Sequence, residues 1–364
     1  MTYGGVETAI LNWRKGFAEE RLDVHLVCFA NPHGTEQPYI DAAAKAGFKV
    51  HTIPWHRGKP IFRAARAMRD YIVEHKIDIL HCHNTYADVV GLLTARMVPV
   101  KTLTTFYVWG DFGWKRNVLQ WIDAKVMKWF DQVTAHCESC FRDTVARGID
   151  AKAVKLLICG YPVQPTVLTP DQRTALRAEL ATGPNDIAML YLARFWPEKA
   201  HDNLLEALAL GLKRAPNLKL WLAGTGAELE RIQELAKTMQ LQDAVRFLGF
   251  RSNVGELLAA ADIQVHPSDN EGVALAICEG MVAGKPIIAS RVGGLPEVLH
   301  HESSAILLEP RDPQGLANAM VELASDPDKR RRLGQEAQRF MREEYSIEVA
   351  TSRVENLYRQ LVTQ

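Results

Sequence analysis

Short apolar runs rich in β-branched residues alternate with longer amphipathic stretches along the first part of the chain. The runs lie at residues 23–28, 48–53, 77–81, 101–105, 132–135 and 154–158, and their length suits buried strands. The stretches between them, as from Ile61 to Lys76, place apolar residues three and four positions apart, which is the spacing of one helical face. Strands that alternate with helices predict a parallel, doubly wound α/β sheet.

The alternation stops and then starts again. Residues 162–185 carry four prolines in a polar setting, which predicts a linker with a short helix. Further strand-like runs follow at 187–192, 218–222, 245–248, 263–266 and 286–289. We therefore expect two Rossmann-like domains facing a cleft, at 1–162 and 163–345, with 346–364 a helix that crosses back to the N-terminal domain.

The chain opens without the strand that normally starts such a domain. Gly4-Gly5 already reads as a turn ahead of the first helix. Either the start lies upstream, or the sheet lacks a strand that is normally buried on both faces. The first alternative is favoured, so the first strand of the N-terminal domain is expected to be missing.

Composition narrows the class of protein. The 364 residues suit two domains, and 47% hydrophobic with 24% charged residues is typical of a globular protein. No apolar run reaches about 18 residues, and the amino end lacks the features of a secretory signal. Six scattered cysteines form no disulfide-like framework, so we expect a reduced, cytoplasmic setting.

Charge and aromatic residues raise the question of a membrane. Residues 1–162 hold 21 Lys and Arg against 16 Asp and Glu, whereas the remainder holds 22 against 27. The segment 109–130 interleaves six Trp and Phe residues with four basic ones. Such a segment either lies at an anionic membrane surface, which would make the protein peripheral at the inner face of the cell membrane, or packs its aromatics in the core.

The strongest signal of a binding site is the segment 268–281. Glu271 lies in a loop between a predicted strand and a predicted helix, and Glu279 follows eight residues later. The N–H groups of Val273, Ala274 and Leu275 at this helix start suit a phosphate, and the two carboxylates suit sugar hydroxyls. The alternative is that Glu271 merely caps the helix.

A second signal follows another predicted strand. Arg194 and Lys199 are five residues apart in a strand-to-helix loop, where both side chains can reach one diphosphate. Two solvated surface cations are the alternative. Gly224-Thr225-Gly226, Gly293-Gly294 and Gly4-Gly5 are weaker signals, since each is either a close approach to a nucleotide or an ordinary turn.

The sequence gives little support for a metal site or for the motifs of other enzyme classes. His81-Cys82-His83 and Cys137-x-x-Cys140 are about 55 residues apart and lack the paired spacing of structural zinc sites, so no metal site is expected. His81 is expected at a strand end, and His83 lining the cleft. No phosphate-binding P-loop or nucleophile elbow is present, and no nucleic-acid partner is expected.

These residues resemble the retaining glycosyltransferases of family 4, which have the GT-B fold. The most specific match is the Glu-x7-Glu pattern from Glu271 to Glu279, and the likeness extends over nearly the whole chain. The resemblance implies that Arg194 and Lys199 bind the donor diphosphate, with Glu271 completing the catalytic set. It also implies a donor-binding set without metal or cofactor: Gly4, Gly5, Gly224, Phe250, Arg251, Gly272, Val273, Ala274, Leu275 and Glu279.

The sequence departs from the family pattern at several positions. Ala193, Ala200 and Ala274 stand where the family has glycine, and Tyr107 stands where it often has histidine. His83 and Tyr107 are assigned to the acceptor side.

Three functions remain. The leading hypothesis is a metal-independent hexosyltransferase that moves a sugar from a UDP- or GDP-sugar to a carbohydrate or lipid-linked acceptor, in polysaccharide, lipopolysaccharide or other cell-envelope glycan synthesis. A catalytically degenerate relative that binds a nucleotide sugar or glycan is the first alternative, and a nucleotide-sugar epimerase is the second.

Overall fold

The computed structural model describes residues 5–17, 21–30, 34, 36–54, 60–107, 114–157 and 160–363. The chain forms two compact units. Unit 1 comprises residues 1–162 with 345–364, and unit 2 comprises residues 163–344. Among the described helices, none is both long enough and apolar enough to cross a membrane.

Helices and strands alternate through both units. Unit 1 contains α1 (Gly5–Gly16), β1 (His25–Ala30), α2 (Gln37–Lys45), β2 (Lys49–Pro54), α3 (Ile61–His75), β3 (Ile79–Cys82), α4 (Thr85–Ala95), β4 (Lys101–Phe106), α5 (Trp114–Val126), β5 (Gln132–Ala135), α6 (Glu138–Ala146), β6 (Val154–Leu156) and, after unit 2, α15 (Ile347–Thr363). Unit 2 contains α7 (Pro170–Glu179), β7 (Ile187–Leu192), α8 (His201–Leu212), β8 (Leu218–Ala223), α9 (Leu229–Thr238), β9 (Val245–Gly249), α10 (Val254–Ala260), β10 (Ile263–His266), α11 (Leu275–Val282), β11 (Ile287–Ser290), α12 (Leu295–Val298), β12 (Ala305–Leu308), α13 (Pro313–Ser325) and α14 (Pro327–Glu344).

Unit 2 is built on one six-stranded parallel sheet in the order β12-β11-β10-β7-β8-β9. Its strands are apolar and buried because helices cover both faces, and the core includes Met189, Leu220 and Ile288. The order of the strands reverses between β7 and β10, which are hydrogen-bonded neighbours. In open parallel sheets, ligands bind outside the carboxyl ends of the strands at such a reversal.

Unit 1 has its strands in two separate parallel sheets, β1-β2 and β3-β4-β5-β6. The edge strands β1 and β3 both line a cavity of about 890 Å³, together with residues of α1, α3, α4 and α15. The described residues contain no strand ahead of α1. The cavity lies between the two sheets.

The predicted alternation of strands and helices is confirmed in both units, and the described ends of the predicted runs differ from the observed strands by at most two residues. The last helix begins at Ile347, beside the predicted Ser346, and packs through Val354 and Leu357 on Trp13 of α1. Strand β12 was not predicted. It has four residues, which is too short to stand out from a buried helical segment by its apolar pattern.

Candidate active site

The residues of the two main sequence signals meet at the carboxyl ends of the central strands of unit 2. Arg194 and Lys199 follow β7, and Glu271 follows β10, the neighbour of β7 at the reversal of strand order. Gly224 follows β8, and Phe250 follows β9. Parallel strands bring these loops to one edge of the sheet, so the predicted residues lie where a ligand is expected.

Glu271 is the centre of a buried network. Its Oε1 accepts hydrogen bonds from Lys199 Nζ, from His266 Nε2 (2.7 Å) and from Ser268 Oγ (3.0 Å). Burial by itself would raise the pKa of the Glu271 carboxyl, but the hydrogen bond and charge of His266, together with Lys199, lower the pKa to about 2. Glu271 is consequently an anion with one fixed orientation at neutral pH.

Three residues of this network were missed by the sequence analysis: His266, Ser268 and Tyr191. The Tyr191 hydroxyl donates to the backbone carbonyl of Lys199 (2.7 Å) and lies 3.1 Å from Ser268 Oγ. Their strand and loop positions gave a usable signal, because His266 ends β10 and Ser268 follows two residues later. Polar residues at the carboxyl end of a buried parallel strand are candidates for a site.

Other hydrogen bonds connect the loop that carries Lys199 with the loop that carries Glu271, besides the ion pair between these two residues. The N–H of Asp269 donates to the carbonyl of Glu198 (2.8 Å). Arg311 Nε lies 2.8 and 2.7 Å from the two carboxylate oxygens of Asp269, and its Nη1 donates to Asp202 (3.0 Å). The loops that carry Lys199 and Glu271 are therefore held in register before any ligand binds.

The start of α11 presents unused hydrogen-bond donors. The helix begins at Leu275, with Ala274 as its N-cap residue, and no side chain caps it. Within the described residues, the N–H groups of Val273, Ala274 and Leu275 have no backbone acceptor. Glu271 lies four residues ahead of the helix and does not cap it, so the structure contradicts the capping alternative.

Glu279 differs in environment from Glu271. It lies one turn into α11, and its carboxyl makes no hydrogen bond or ion pair with another described residue. Burial raises the pKa of its carboxyl to about 7. An unpartnered, partly buried carboxyl of this kind is available to accept hydrogen bonds from ligand hydroxyls.

The Arg194 loop is held by close contact with glycine. A side chain at Gly224 would place its Cβ 1.9 Å from the carbonyl oxygen of Ala193, so only glycine fits. Phe195, which follows Arg194 in the chain, is buried, and its N–H donates to the carbonyl of Thr225 (3.0 Å). The Arg194 side chain itself is exposed and has no partner among the described residues.

Gly293 and Gly294 lie close to the backbone of the loop that carries Glu271. A Cβ at Gly293 would lie 1.7 Å from the carbonyl oxygen of Glu271, which also accepts a hydrogen bond from the Gly294 N–H (3.3 Å). The backbone of Gly272 lies against Gly294. The glycine pair thus positions the backbone that carries Glu271.

The remaining donor-site residues have less distinctive surroundings. Phe250 is 58% exposed. Arg251 donates to Asn253 Oδ1 (3.0 Å) and forms an ion pair with Glu179 (3.4 Å), so its guanidinium is already engaged within unit 2. Gly4 lies outside the described residues, and Gly5 is the first residue of α1.

The departures from glycine have visible consequences. Ala200 adopts a left-handed backbone conformation with φ of 51°, in which an alanine is strained by about 1–2 kcal/mol. Ala274 adopts an extended conformation with φ of −70°, which any residue tolerates. The replacement of the family's glycine by alanine therefore costs stability at Ala200 but not at Ala274.

The two predicted acceptor-side residues lie together in unit 1. His83 follows β3 and Tyr107 follows β4, and His83 Nδ1 lies 3.0 Å from the Tyr107 hydroxyl. Burial lowers the pKa of His83 to about 3, so the ring is neutral. His81 lies within β3, near its end as predicted, and bonds to Thr105 Oγ1 (2.6 Å) and the Tyr358 hydroxyl (2.7 Å).

Comparison with known proteins defines the class. The HepE protein of Anabaena, solved in complex with UDP, superposes with a TM-score of 0.85 at 20% identity, over 98% of this chain and 96% of that one. The architecture is thus that of the GT-B glycosyltransferases, with two Rossmann-like domains.

The family follows from sequence. The profile "Glycosyltransferase Family 4" matches residues 3–165, and the profile "Glycosyl transferases group 1" matches residues 172–340. The N-acetyl-alpha-D-glucosaminyl L-malate synthase of Bacillus anthracis is 28% identical over 81% of this chain and 77% of that one. The lipopolysaccharide core biosynthesis glycosyltransferase LpsD of Rhizobium meliloti is 35% identical over 50% of this chain and 52% of its own.

The chain belongs to the group 1, family 4 glycosyltransferases and is a glycosyltransferase enzyme.

Proposed function

We propose that this enzyme transfers a hexosyl group from a UDP- or GDP-sugar to a carbohydrate or lipid-linked acceptor, with retention of configuration and without a metal ion at the donor. The observation that carries the proposal is the network on Glu271, which joins the loop after β7 to the loop after β10 where the strand order reverses. A nucleotide sugar needs cations for its diphosphate and carboxylates for its hydroxyls, and both are present here.

The diphosphate has two kinds of partner. Arg194 offers an exposed planar fork, and Lys199 an ammonium whose three N–H groups are not all used by Glu271. The unused N–H groups at the start of α11 add donors and the positive end of the helix dipole. These groups stabilise the charge that grows on the departing nucleoside diphosphate, which is the role a metal ion plays elsewhere.

The two carboxylates bind different parts of the donor. Glu271 is held as an anion by Lys199 and His266, and it accepts hydrogen bonds from hydroxyls of the transferred sugar. Glu279 accepts hydrogen bonds from the ribose hydroxyls. Phe250 and the adjoining backbone contact the base.

Retention follows from the same residues. The acceptor hydroxyl attacks from the face on which the diphosphate leaves, and a phosphate oxygen takes the acceptor proton. In this proposal no enzyme carboxylate acts as a nucleophile, since three donors hold Oε1 of the anionic Glu271 and its role is to accept hydrogen bonds from the sugar. His83 and Tyr107 serve the acceptor, through a hydroxyl and a neutral ring.

The acceptor belongs to the cell envelope in this proposal. LpsD takes part in lipopolysaccharide core synthesis by its name, and the Bacillus anthracis relative joins N-acetylglucosamine to malate by its name. HepE was solved with UDP, which makes UDP-sugars the first donors to test.

An exposed surface of unit 1 supports peripheral attachment to an anionic membrane. Trp121 and Trp129 are 64% and 70% exposed, and Lys125 lies over the Trp121 ring. Val118 and Leu119 on the same helix are also about half exposed. The structure thus leaves these two tryptophans outside the core, although Met127 and Phe130 beside them are buried.

Vesicle sedimentation tests the attachment. Wild-type protein should co-sediment with vesicles that contain phosphatidylglycerol more than with phosphatidylcholine vesicles, and Trp121→Ala with Trp129→Ala should release it. Trp196→Ala, at an exposed tryptophan of unit 2, is the matched control. Equal sedimentation of wild type and the double variant would overturn the proposed attachment.

Nucleotide release tests the transfer itself. Each UDP- and GDP-sugar is incubated in EDTA with envelope glycan and lipid-linked acceptors, and released nucleoside diphosphate and glycosylated product are measured. We expect one donor to give product with a retained anomeric configuration. Binding without turnover would favour the degenerate relative, and isomerised sugar nucleotide without acceptor would mark the epimerase.

A further inference from the structure

Three buried metal-binding side chains lie together in unit 1, away from the Glu271 network. His136 and Cys137 directly follow β5, and Cys140 lies in the first turn of α6. One ligand atom from each of the three lies within 4.8 Å of the other two. Each residue is at most 9% exposed. The three side chains lie close together because the sequence His-Cys-x-x-Cys spans a strand-to-helix turn.

No metal site was expected from the sequence, because Cys137-x-x-Cys140 and the distant His81-Cys82-His83 lack the paired spacing of zinc sites; the structure brings a different histidine to the two sulfurs. His81 is committed to Thr105 and Tyr358, and His83 to Tyr107. His136, which adjoins Cys137 in sequence, is the histidine that the fold brings to the two sulfurs. No disulfide bond joins Cys137 and Cys140.

His136 carries an unsatisfied polar atom. Its Nδ1 is buried and has no hydrogen-bond partner among the described residues. Buried polar groups in native proteins nearly always have a partner, so this nitrogen is available to a ligand.

The surroundings suit thiolate ligands. Cys137 is the N-cap residue of α6, a nine-residue helix, and its side chain caps no backbone N–H. The positive end of a helix favours the thiolate, which is the metal-binding form of cysteine. Cys140 Sγ donates to the Tyr107 carbonyl (2.9 Å), and Cys137 Sγ lies 3.2 Å from Ser139 Oγ and also contacts Cys140 and His136 within the cluster.

We propose that His136, Cys137 and Cys140 bind one divalent zinc ion, with water in the fourth position. One imidazole nitrogen and two thiolates form a borderline-soft set that suits tetrahedral zinc and not magnesium or calcium. As zinc binds, the two thiols release their protons to solvent and the imidazole stays neutral.

The zinc ion would act on the acceptor side, not on the donor diphosphate. The rings of His136 and Tyr107 are 5.6 Å apart, and Tyr107 is bound to His83. A Cys140 thiolate bound to zinc can no longer donate to the Tyr107 carbonyl, so zinc binding would break that hydrogen bond and reposition the Tyr107 backbone at the end of β4. Tyr107 is a residue positioned by the site.

Elemental analysis tests the site. The full chain, purified under reducing conditions without chelator, should carry one zinc per chain, and Cys137→Ser, Cys140→Ser and His136→Ala should each lower zinc by tenfold or more. Cys28→Ser removes a buried thiol outside the cluster and should keep its zinc. Circular dichroism verifies that each variant is folded.

Cobalt provides an independent readout. Chain from which zinc has been removed should bind cobalt and show a thiolate-to-cobalt charge-transfer band, which the Cys137→Ser variant lacks and the Cys28→Ser variant retains. Folded, reduced wild-type protein that binds neither zinc nor cobalt would overturn the proposal. So would equal zinc in the wild type and the three cluster variants, or a Cys137–Cys140 disulfide in the reduced preparation.

Discussion

Glu271 and Glu279 show how two carboxyls on one short segment acquire opposite properties. Glu271 has three donors on one oxygen and a pKa lowered to about 2. Glu279 has no described partner and a pKa raised to about 7 by burial. The first is a fixed anion that orients a ligand, and the second changes its charge near neutral pH and is stabilised when a ligand donates to it.

The role of Lys199 is testable by its effect on rate. Lys199→Met keeps the length and apolar stem but removes the charge, so kcat should fall by about 100-fold or more because the leaving diphosphate loses stabilisation. Steady-state kinetics with the active donor measures this. Lys213→Met, at an exposed lysine that ends α8, is the matched control and should leave kcat unchanged. Unchanged turnover in the Lys199 variant would remove Lys199 from the mechanism.

Glu279 should reduce stability at high pH. Its pKa is raised from 4.5 to about 7 on folding, so the unfolded chain ionises more readily and stability declines as pH rises through this window. Glu279→Gln should therefore raise the melting temperature at pH 8 and change it little at pH 5. The same variant should reduce the stabilisation given by the nucleotide. A destabilised variant at pH 8 would contradict the assignment of an unpartnered carboxyl.

At the scale of elements, the loops of unit 2 depend on close backbone contact. Gly224→Ala would place a Cβ 1.9 Å from the Ala193 carbonyl and should displace the Arg194 loop, with a loss of several kcal/mol of stability. Gly249 also has a positive φ, of 63°, but a Cβ added there would meet no atom within 4 Å. Gly249→Ala should therefore lower the free energy of unfolding by only about 1–2 kcal/mol. Urea unfolding measures the free energy of unfolding of both variants and so separates the steric clash at Gly224 from the backbone strain at Gly249. Equal losses of stability would argue against the close contact between Gly224 and Ala193.

The sequence predicts the helices and strands of this protein better than the side-chain contacts between them. Parallel strands between amphipathic helices follow from apolar periodicity, and the site loops follow from strand ends. The bonds from His266 and Ser268 to Glu271 do not, because they depend on how the loop after β10 turns back on the strand end. The Lys199–Glu271 pair does not either, because it depends on β7 and β10 being neighbours in the sheet. The cluster of His136, Cys137 and Cys140 was not predicted either, because only the distant His81-Cys82-His83 was considered as a histidine partner for the two cysteines.

At the scale of the whole molecule, unit 1 holds its strands in two sheets on either side of a cavity. Apolar residues of β1 and β3 remain only partly buried there, whereas the inner strands β4 and β5 are buried almost throughout. Both edge strands also leave backbone groups on the cavity side without a strand partner among the described residues. This arrangement leaves room for one additional parallel strand.

A strand added by fusion should stabilise unit 1. Six Val and Ile residues joined ahead of Met1 match the six-residue β1 in length and precede α1, as a right-handed strand–helix–strand crossover requires. The melting temperature should rise by several degrees, because apolar edges become buried. A Gly-Ser extension of equal length is the control. An equal melting temperature for both fusions would show that the cavity accepts no strand.

The most direct test of the donor site compares nucleoside diphosphates with monophosphates. Calorimetric titration in EDTA, with uridine, guanosine and adenosine nucleotides, gives the preference for the diphosphate in wild type and in Arg194→Ala, which removes an exposed side chain without disturbing the core. One base should bind, and the variant should lose about tenfold or more of the diphosphate preference, as expected for a charge-assisted hydrogen bond. An unchanged preference would mean that the diphosphate does not bind at the carboxyl ends of these strands.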